Sequence, residues 1–400
     1  MVSQIMSIFK PCYTDYHKRN VKTLIIERDT LNMRKIYSGY LHFFTSGLFL
    51  ATLFFTSCKK DHNSTPAPVP KPIATLGLYE ANSGIYKRLY IPISKVGTQG
   101  DSVYYSVFDT GSTGMTIDAT GLLPKSMITN NGITVAGDSV TVNGITVTNQ
   151  TAVIAYGNTQ SEIQEFGNLA YAAVTIGDQN GSTTTSRIPI FLYYKILDVT
   201  SGKNQPAHSN DVFGVGPGVS FANSAIGSPL SYFKTAAEVT SGFKLAKVNN
   251  ASFSSNGTYV SGLLTIGLVP DDLAINGFVM HNLSYFTQGG YSPDIPATIS
   301  YNGANVPGTI LFDTGTPAIT IIANQSAASN SSYLPANTTV TITTGKGFSY
   351  TYTTQSNNDE TVVAKPSFTG DPRTIFSLNF FTDNEYLLDY TDHKIGLKNN

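Results

Sequence analysis

The triplet Asp-Thr-Gly occurs twice, each time at the end of an apolar run and each time followed by a hydroxyl residue. The first copy reads Ser106-Val107-Phe108-Asp109-Thr110-Gly111-Ser112-Thr113 and the second Thr309-Ile310-Leu311-Phe312-Asp313-Thr314-Gly315-Thr316. A single Asp-x-Gly is ordinary turn chemistry. Two copies about half a chain apart imply a duplicated unit, and the residues downstream also correspond, Gly114-Met115-Thr116-Ile117 against Ala318-Ile319-Thr320-Ile321. The chain is thereby constrained to two halves, each ending an apolar strand in a carboxylate on a tight turn. Loops meeting at a pseudo-twofold axis would bring Asp109 and Asp313 close enough to share one proton.

A shared proton has chemical use. Hydrolysis without a metal or a nucleophilic side chain needs a base to activate water and an acid to protonate the carbonyl oxygen. Two neighbouring carboxyls supply both, because like charges side by side cannot both ionise easily. Their titration belongs to the pair, so the proton is assigned to neither residue. Gly after Asp-Thr lets the backbone turn sharply and approach the carboxylate.

The rest of the body reads as strands. From Ile73 onward, short runs rich in Val, Ile, Thr and Tyr alternate with turn signals, as in Leu89-Tyr90-Ile91-Pro92-Ile93 and Val140-Thr141-Val142-Asn143-Gly144-Ile145-Thr146-Val147. This pattern predicts antiparallel sheets. Helical periodicity is confined to short stretches around Pro229 to Ala237 and Ser377 to Phe381. The Thr183-Thr184-Thr185 run and the Ser/Asn cluster at 329–332 read as loops. The pattern breaks near 235–250, which places a first half at 74–240 and a second at 241–400.

Composition excludes several function classes. Lys and Arg number 25 against 26 Asp and Glu, so nothing favours nucleic acid as a partner. Charged residues are only 13% of the chain, which suits an exported β-rich protein. Cys12 and Cys58 are the only cysteines and both precede the body, and the six His show no ligand spacing. No metal site and no cofactor is expected. Asp271-Asp272 has the look of a metal pair, but consecutive acids in a turn are usually solvated.

The N-terminus reads as an address. Tyr40 to Ser57 is apolar and uncharged, follows Arg34 and Lys35, and ends in Phe55-Thr56-Ser57-Cys58. A basic start, an apolar core and a small-residue end make a secretory signal. The ending resembles a bacterial lipoprotein signal, which implies lipidation of Cys58, a lipid anchor and a place in the cell envelope. The alternative is an uncleaved span, since about 18 apolar residues just reach across a bilayer. Residues 1–32 are unlike any targeting peptide, and Met33 is the alternative start. Segment 1–58 is thus read as extension plus signal, and Pro-rich 59–73 as an extended linker.

Over about residues 75–400 the body resembles the pepsin-like aspartic proteases. The resemblance implies an all-β, bilobal pepsin-like acid protease fold: two pseudo-symmetric β-barrel-like lobes with few short helices. Asp109 and Asp313 match the catalytic pair. Thr110 and Thr314 match residues that hydrogen-bond across to the opposite loop, Gly111 and Gly315 complete the triplets, and Ser112 and Thr316 match hydroxyls on the outer carboxylate oxygens. Tyr156-Gly157 falls where the family carries a flap over the substrate. Asp211-Val212-Phe213-Gly214 fits the apolar-apolar-Gly segment beneath the first loop, with Asp211 read as structural. Tyr386-Leu387-Leu388-Asp389-Tyr390 and Lys394-Ile395-Gly396-Leu397 fit the closing strands. Three features depart from the pattern. Ile375-Phe376-Ser377 carries Ser where the second half should have Gly, no Trp partners the flap Tyr, and the body lacks disulfides.

The expectation is a monomeric, exported endopeptidase acting on polypeptide substrate. The alternative is a catalytically impaired surface lipoprotein on the same scaffold, binding peptide or glycan.

Overall fold

The computed structural model describes residues 69–399 apart from 85, 159–160, 275–276, 318 and 356–360. The segment read as a signal sequence, Cys58 and most of the stretch read as a Pro-rich linker lie outside the described residues.

The architecture is all-β and two-lobed. Among the described residues one fifteen-stranded sheet and one eight-stranded sheet account for nearly all strands, with two small two-stranded ribbons. A sheet longer than about ten strands curls, and this one closes a ring in the first half. Strands β1 (Ala74–Ser83), β2 (Tyr86–Val96), β3 (Tyr104–Asp109) and β4 (Thr113–Asp118) begin it. From β2 the pairing runs to β3, to Val212–Val215, to β4, to Gly181–Asp198 and to Ser161–Asp178. The last of these returns to β2, with Val96 opposite Val174.

The same sheet continues through β1 into the second half. β1 pairs with Thr258–Leu268, which pairs with Thr240–Leu245, and the closing hairpin Asn384–Asp389/Lys394–Asn399 follows. The eight-stranded sheet holds most of the other second-half strands, centred on Ala304–Phe312 and Thr374–Phe376.

The duplication is visible in register. Val107, Phe108 and Asp109 lie parallel to Val212, Phe213 and Gly214. Ile310, Leu311 and Phe312 lie parallel to Thr374, Ile375 and Phe376. Parallel pairs buried on both faces favour such continuous apolar runs. The phenylalanines preceding the two Asp residues are joined by a buried chain of rings. Phe108 meets Phe243 edge-on with centroids 5.8 Å apart, Phe243 meets Tyr386 at 5.9 Å, and Tyr386 meets Phe381 at 5.8 Å. Phe381 meets Phe380 at 5.3 Å and Phe380 meets Phe312 at 4.2 Å. None of these rings is more than 2% exposed, so one continuous core underlies both Asp loops.

Several local readings change. The Thr183–Thr185 run is strand, not loop: Thr183 and Thr184 pair with Ile176 and Thr175, as β-branched residues on a pleated surface do. Ser331 and Ser332, read as loop, pair with Ala364 and Val363. The helix expected from Pro229 shrinks to a single 3-10 turn, Pro229–Tyr232, capped by the Ser228 side chain. The second short helix is also 3-10, Leu378–Thr382, with Ser377 as its cap.

Candidate active site

Each Asp closes a miniature turn on itself. Gly111 N donates to Asp109 Oδ1 at 2.8 Å, and Ser112 Oγ donates to Oδ2 at 2.6 Å. Gly315 N donates to Asp313 Oδ1 at 2.7 Å, and Thr316 Oγ1 donates to Oδ2 at 2.6 Å. The glycines are required by what lies opposite. A Cβ on Gly111 would sit 2.5 Å from Cγ of Asp313, and one on Gly315 would sit 2.6 Å from Cγ of Asp109. Each turn therefore presses its bare backbone against the other turn's carboxyl.

The two threonines lock this arrangement. Thr110 N donates to Thr314 Oγ1 and Thr314 N donates to Thr110 Oγ1, both at 3.0 Å. Thr110 Oγ1 donates to Phe312 O at 2.7 Å, and Thr314 Oγ1 donates to Phe108 O at 2.6 Å. Both side chains are buried, where satisfied hydrogen bonds are strong and lost ones expensive.

The electrostatics follow from proximity. Burial, the charge of Asp313 and a hydrogen bond with the Asp313 side chain push the Asp109 carboxyl up to about 8. The Ser112 and Gly111 donors oppose this rise. Two carboxyls placed against each other, one of them raised, form an arrangement that can act as base and acid together.

Tyr156 and Gly157 lie in the long hairpin Ile145–Asn158/Ser161–Asp178, opposite Ile163 and Glu162. Half-buried Tyr156 packs in a cluster with Ile226, and Ile226 lies against the backbone at Gly114, just beyond the first Asp loop. The hairpin and that loop thus share an apolar wall.

Asp211 anchors the strand beneath the first loop. Its Oδ1 accepts from Tyr193 Oη at 2.5 Å and from Asp118 N at 2.9 Å, and its Oδ2 meets His208 Nδ1 at 2.8 Å. Burial works against a charged His208, but the hydrogen bond and charge of Asp211 outweigh it and raise the imidazole pKa. The fully buried Glu165 beside this knot is raised well above the carboxylate range by burial, with Asp211 and Asp118 adding to the rise. Asp272 pairs with Lys244 and accepts from Val269 N at 3.0 Å, so the Asp271-Asp272 pair closes a helical turn. Among the described residues, no group of three or more His, Cys, Asp or Glu is placed to hold a metal ion.

The two halves are not equally built. Val212–Val215 makes four register pairs with β4, including Gly214 with Gly114. A Cβ on Gly214 would come within 2.8 Å of both Gly114 O and Ser112 Oγ. Ser377, fully buried, follows Phe376 just as Gly214 follows Phe213. There, among the described residues, only Ile375 pairs with the following strand, opposite Ile321. Arg88 on β2 reaches across and donates from Nη1 to Gly315 O. Sequence reasoning missed Arg88, His208 and Glu165; each lies in an unremarkable local pattern, and only long-range contacts mark them.

No family model matches the chain, and no curated protein matches it. Among solved structures it is similar to the aspartic proteinase of Irpex lacteus, with 16% identity, 82% of this chain and 98% of that chain covered, and a TM-score of 0.48.

Proposed function

We propose that this protein is an exported aspartic endopeptidase that hydrolyses peptide bonds with a water activated by Asp109 and Asp313. The observation that carries the reading is the mutual packing of the two turns: a Cβ on Gly111 would lie 2.5 Å from Asp313 Cγ and one on Gly315 2.6 Å from Asp109 Cγ, and burial with the neighbouring Asp313 charge raises the Asp109 carboxyl. The ionised member of the pair takes a proton from water as the oxygen attacks the scissile carbonyl carbon. The protonated member donates to the carbonyl oxygen. The tetrahedral diol then collapses: one hydroxyl returns its proton to the ionised carboxylate as the carbonyl re-forms, and the C–N bond breaks. The departing nitrogen takes a proton from the other carboxyl, which leaves the dyad with one proton as at the start. Ser112, Thr316 and the glycine amides hold the carboxyl oxygens in place throughout. An extended substrate would lie along the hairpin bearing Tyr156 and Gly157, pairing as an added strand. Side-chain pockets lined by apolar residues would favour cleavage between bulky apolar residues. Export, lipidation at Cys58 and attachment to the cell envelope belong to the same proposal and rest on the sequence of residues 34–58.

The test is casein or a quenched-fluorescence peptide incubated with the protein from about pH 3 to about pH 9, with and without pepstatin. The parent should cleave, while Asp109→Asn and Asp313→Asn should fold and cleave nothing. Equal cleavage by Asp109→Asn would refute the mechanism. A folded parent that binds peptide without cutting it would favour the binding-protein alternative, toward which Ser377 points.

A further inference from the structure

We propose that Arg88 is a positioning residue for Asp313, bracing the second Asp turn from the opposite half of the chain where Ser377 has loosened its own half's hold. The inference deepens the reading of the dyad as a peptidase site and rests on it.

The argument starts from the asymmetry of the two loops. In the first half, the glycine after Phe213 lets β4 pack directly on Val212–Val215, and four register pairs fix the backbone leaving the Asp109 turn. In the second half, Ser377 has a Cβ at the corresponding place. Pairing with Thr374–Phe376 is reduced, among the described residues, to Ile321 and Ile375. Gly315 has no side chain to fix it, and its N–H orients Asp313 Oδ1, so the direction of its carbonyl bears on the placement of that carboxyl.

Arg88 supplies the missing restraint. Its guanidinium holds Gly315 O, so both polar groups of Gly315 are engaged. Arg88 is itself well anchored. It sits two residues before Tyr90, which pairs with Val107 two residues before Asp109. The contact therefore ties the strand carrying Asp109 to the turn carrying Asp313. Neighbouring Lys87 adds a second tie, donating from Nζ to Asn379 Oδ1 at 3.0 Å, just beyond Ser377. A planar guanidinium fixes the direction of an accepting carbonyl better than an ammonium does.

The experiment compares Arg88→Met, Arg88→Lys and the double variant Arg88→Met/Ser377→Gly in the full chain. For Arg88→Met, kcat should fall about tenfold or more with KM within about twofold, because misplacing a reacting group costs rate rather than binding. The alkaline limb of its pH profile should move to lower pH as the carboxyls lose their coupling. Arg88→Lys should recover part of the rate. Restoring Gly at 377 should recover part of it too, since the second turn can then close on its own strand. Unchanged kcat and an unchanged pH profile in folded Arg88→Met would overturn the proposal, as would a double variant no better than the single one. Should the parent prove inactive, the peptidase reading fails separately, and the brace is decided by carboxyl carbon NMR. A changed carboxyl titration of Asp109 in Arg88→Met supports it, and an unaltered titration overturns it.

Discussion

Thr110 and Thr314 each accept the other's backbone N–H and each donate to the carbonyl preceding the other's Asp. Four hydrogen bonds between buried groups thus fix the separation of Asp109 and Asp313. Removing one hydroxyl strands a buried N–H and a buried carbonyl, each costing about 1–3 kcal/mol. Thr314→Val, which keeps the volume, should therefore lower unfolding free energy by about 3 kcal/mol in urea titrations. Thr314→Ser keeps the hydroxyl and should lose less than about 1 kcal/mol. Equal losses from both variants would show that the hydroxyl is not what matters.

Stability should fall as pH rises from mildly acidic to alkaline. Asp109 is raised to about 8 and Glu80 to about 7, both chiefly by burial. The native state keeps protons that the unfolded chain releases near pH 4, so their contribution is complete below about pH 4 and lost as pH climbs through those raised values. His208, also raised, acts in the same direction: its charged native form stabilises below the ordinary histidine range and is lost above its raised value. His281 is lowered by burial, so its contribution is present above the ordinary range and lost on acidification. Burial also raises Glu165, Asp294 and Asp389, which act in the same direction as Asp109 and Glu80, so the raised groups outweigh it. Thermal melts should give a higher Tm at about pH 5 than at about pH 8, and Asp109→Asn should flatten that slope. A Tm that rises over this interval would contradict the assignment.

The parts of the fold that could be read in advance are those whose signal is local. The duplicated triplet, the phenylalanine before each Asp and the closing Tyr386–Leu397 segment are contiguous, and each sits where its pattern implied. The site geometry depends on partners far apart. Arg88 and Gly315 are 227 positions apart, and Tyr193 meets Asp211 through a fold in which neither is marked by its neighbours. The Thr183–Thr185 run was misleading because hydroxyls suggest loops, while the β-branch that fits a strand decides. The turn at Pro229 stops at Tyr232 because no apolar periodicity follows it to bury.

Ser377 and Gly214 occupy equivalent places under opposite loops, and they should respond differently to substitution. Gly214→Ala forces a Cβ onto Gly114 O and Ser112 Oγ at 2.8 Å, and both belong to backbone or side chain fixed by the first loop. Overpacking of this kind costs about 1–3 kcal/mol. Displacing Ser112 also removes a donor from Asp109. Activity should drop at least about tenfold, read as kcat. Ser377→Ala loses only a weak cap to Asn379 N at 3.4 Å, so it should cost about 1 kcal/mol or less and leave kcat within about twofold. A Gly214→Ala variant as active as the parent would remove the reason for glycine at that position.

Phe243 offers the sharpest test of the shared core. It stands between Phe108 and Tyr386, fully buried, at the first step of the ring chain that runs from the Asp109 strand to the Asp313 strand. Truncation to Ala leaves a cavity that rigid flanking strands cannot fill, at a cost of about 3–5 kcal/mol. Phe243→Leu retains most of the volume and should cost less than about 2 kcal/mol. If the rings transmit position between the loops, Phe243→Leu should also lower kcat by severalfold, because Phe108 directly precedes Asp109. Val147→Ala serves as control, since Val147 is equally buried but stands outside the ring chain. Matched stability losses with kcat reduced only at 243 would tie the aromatic chain to dyad geometry. Equal kcat in both variants would reduce it to core packing.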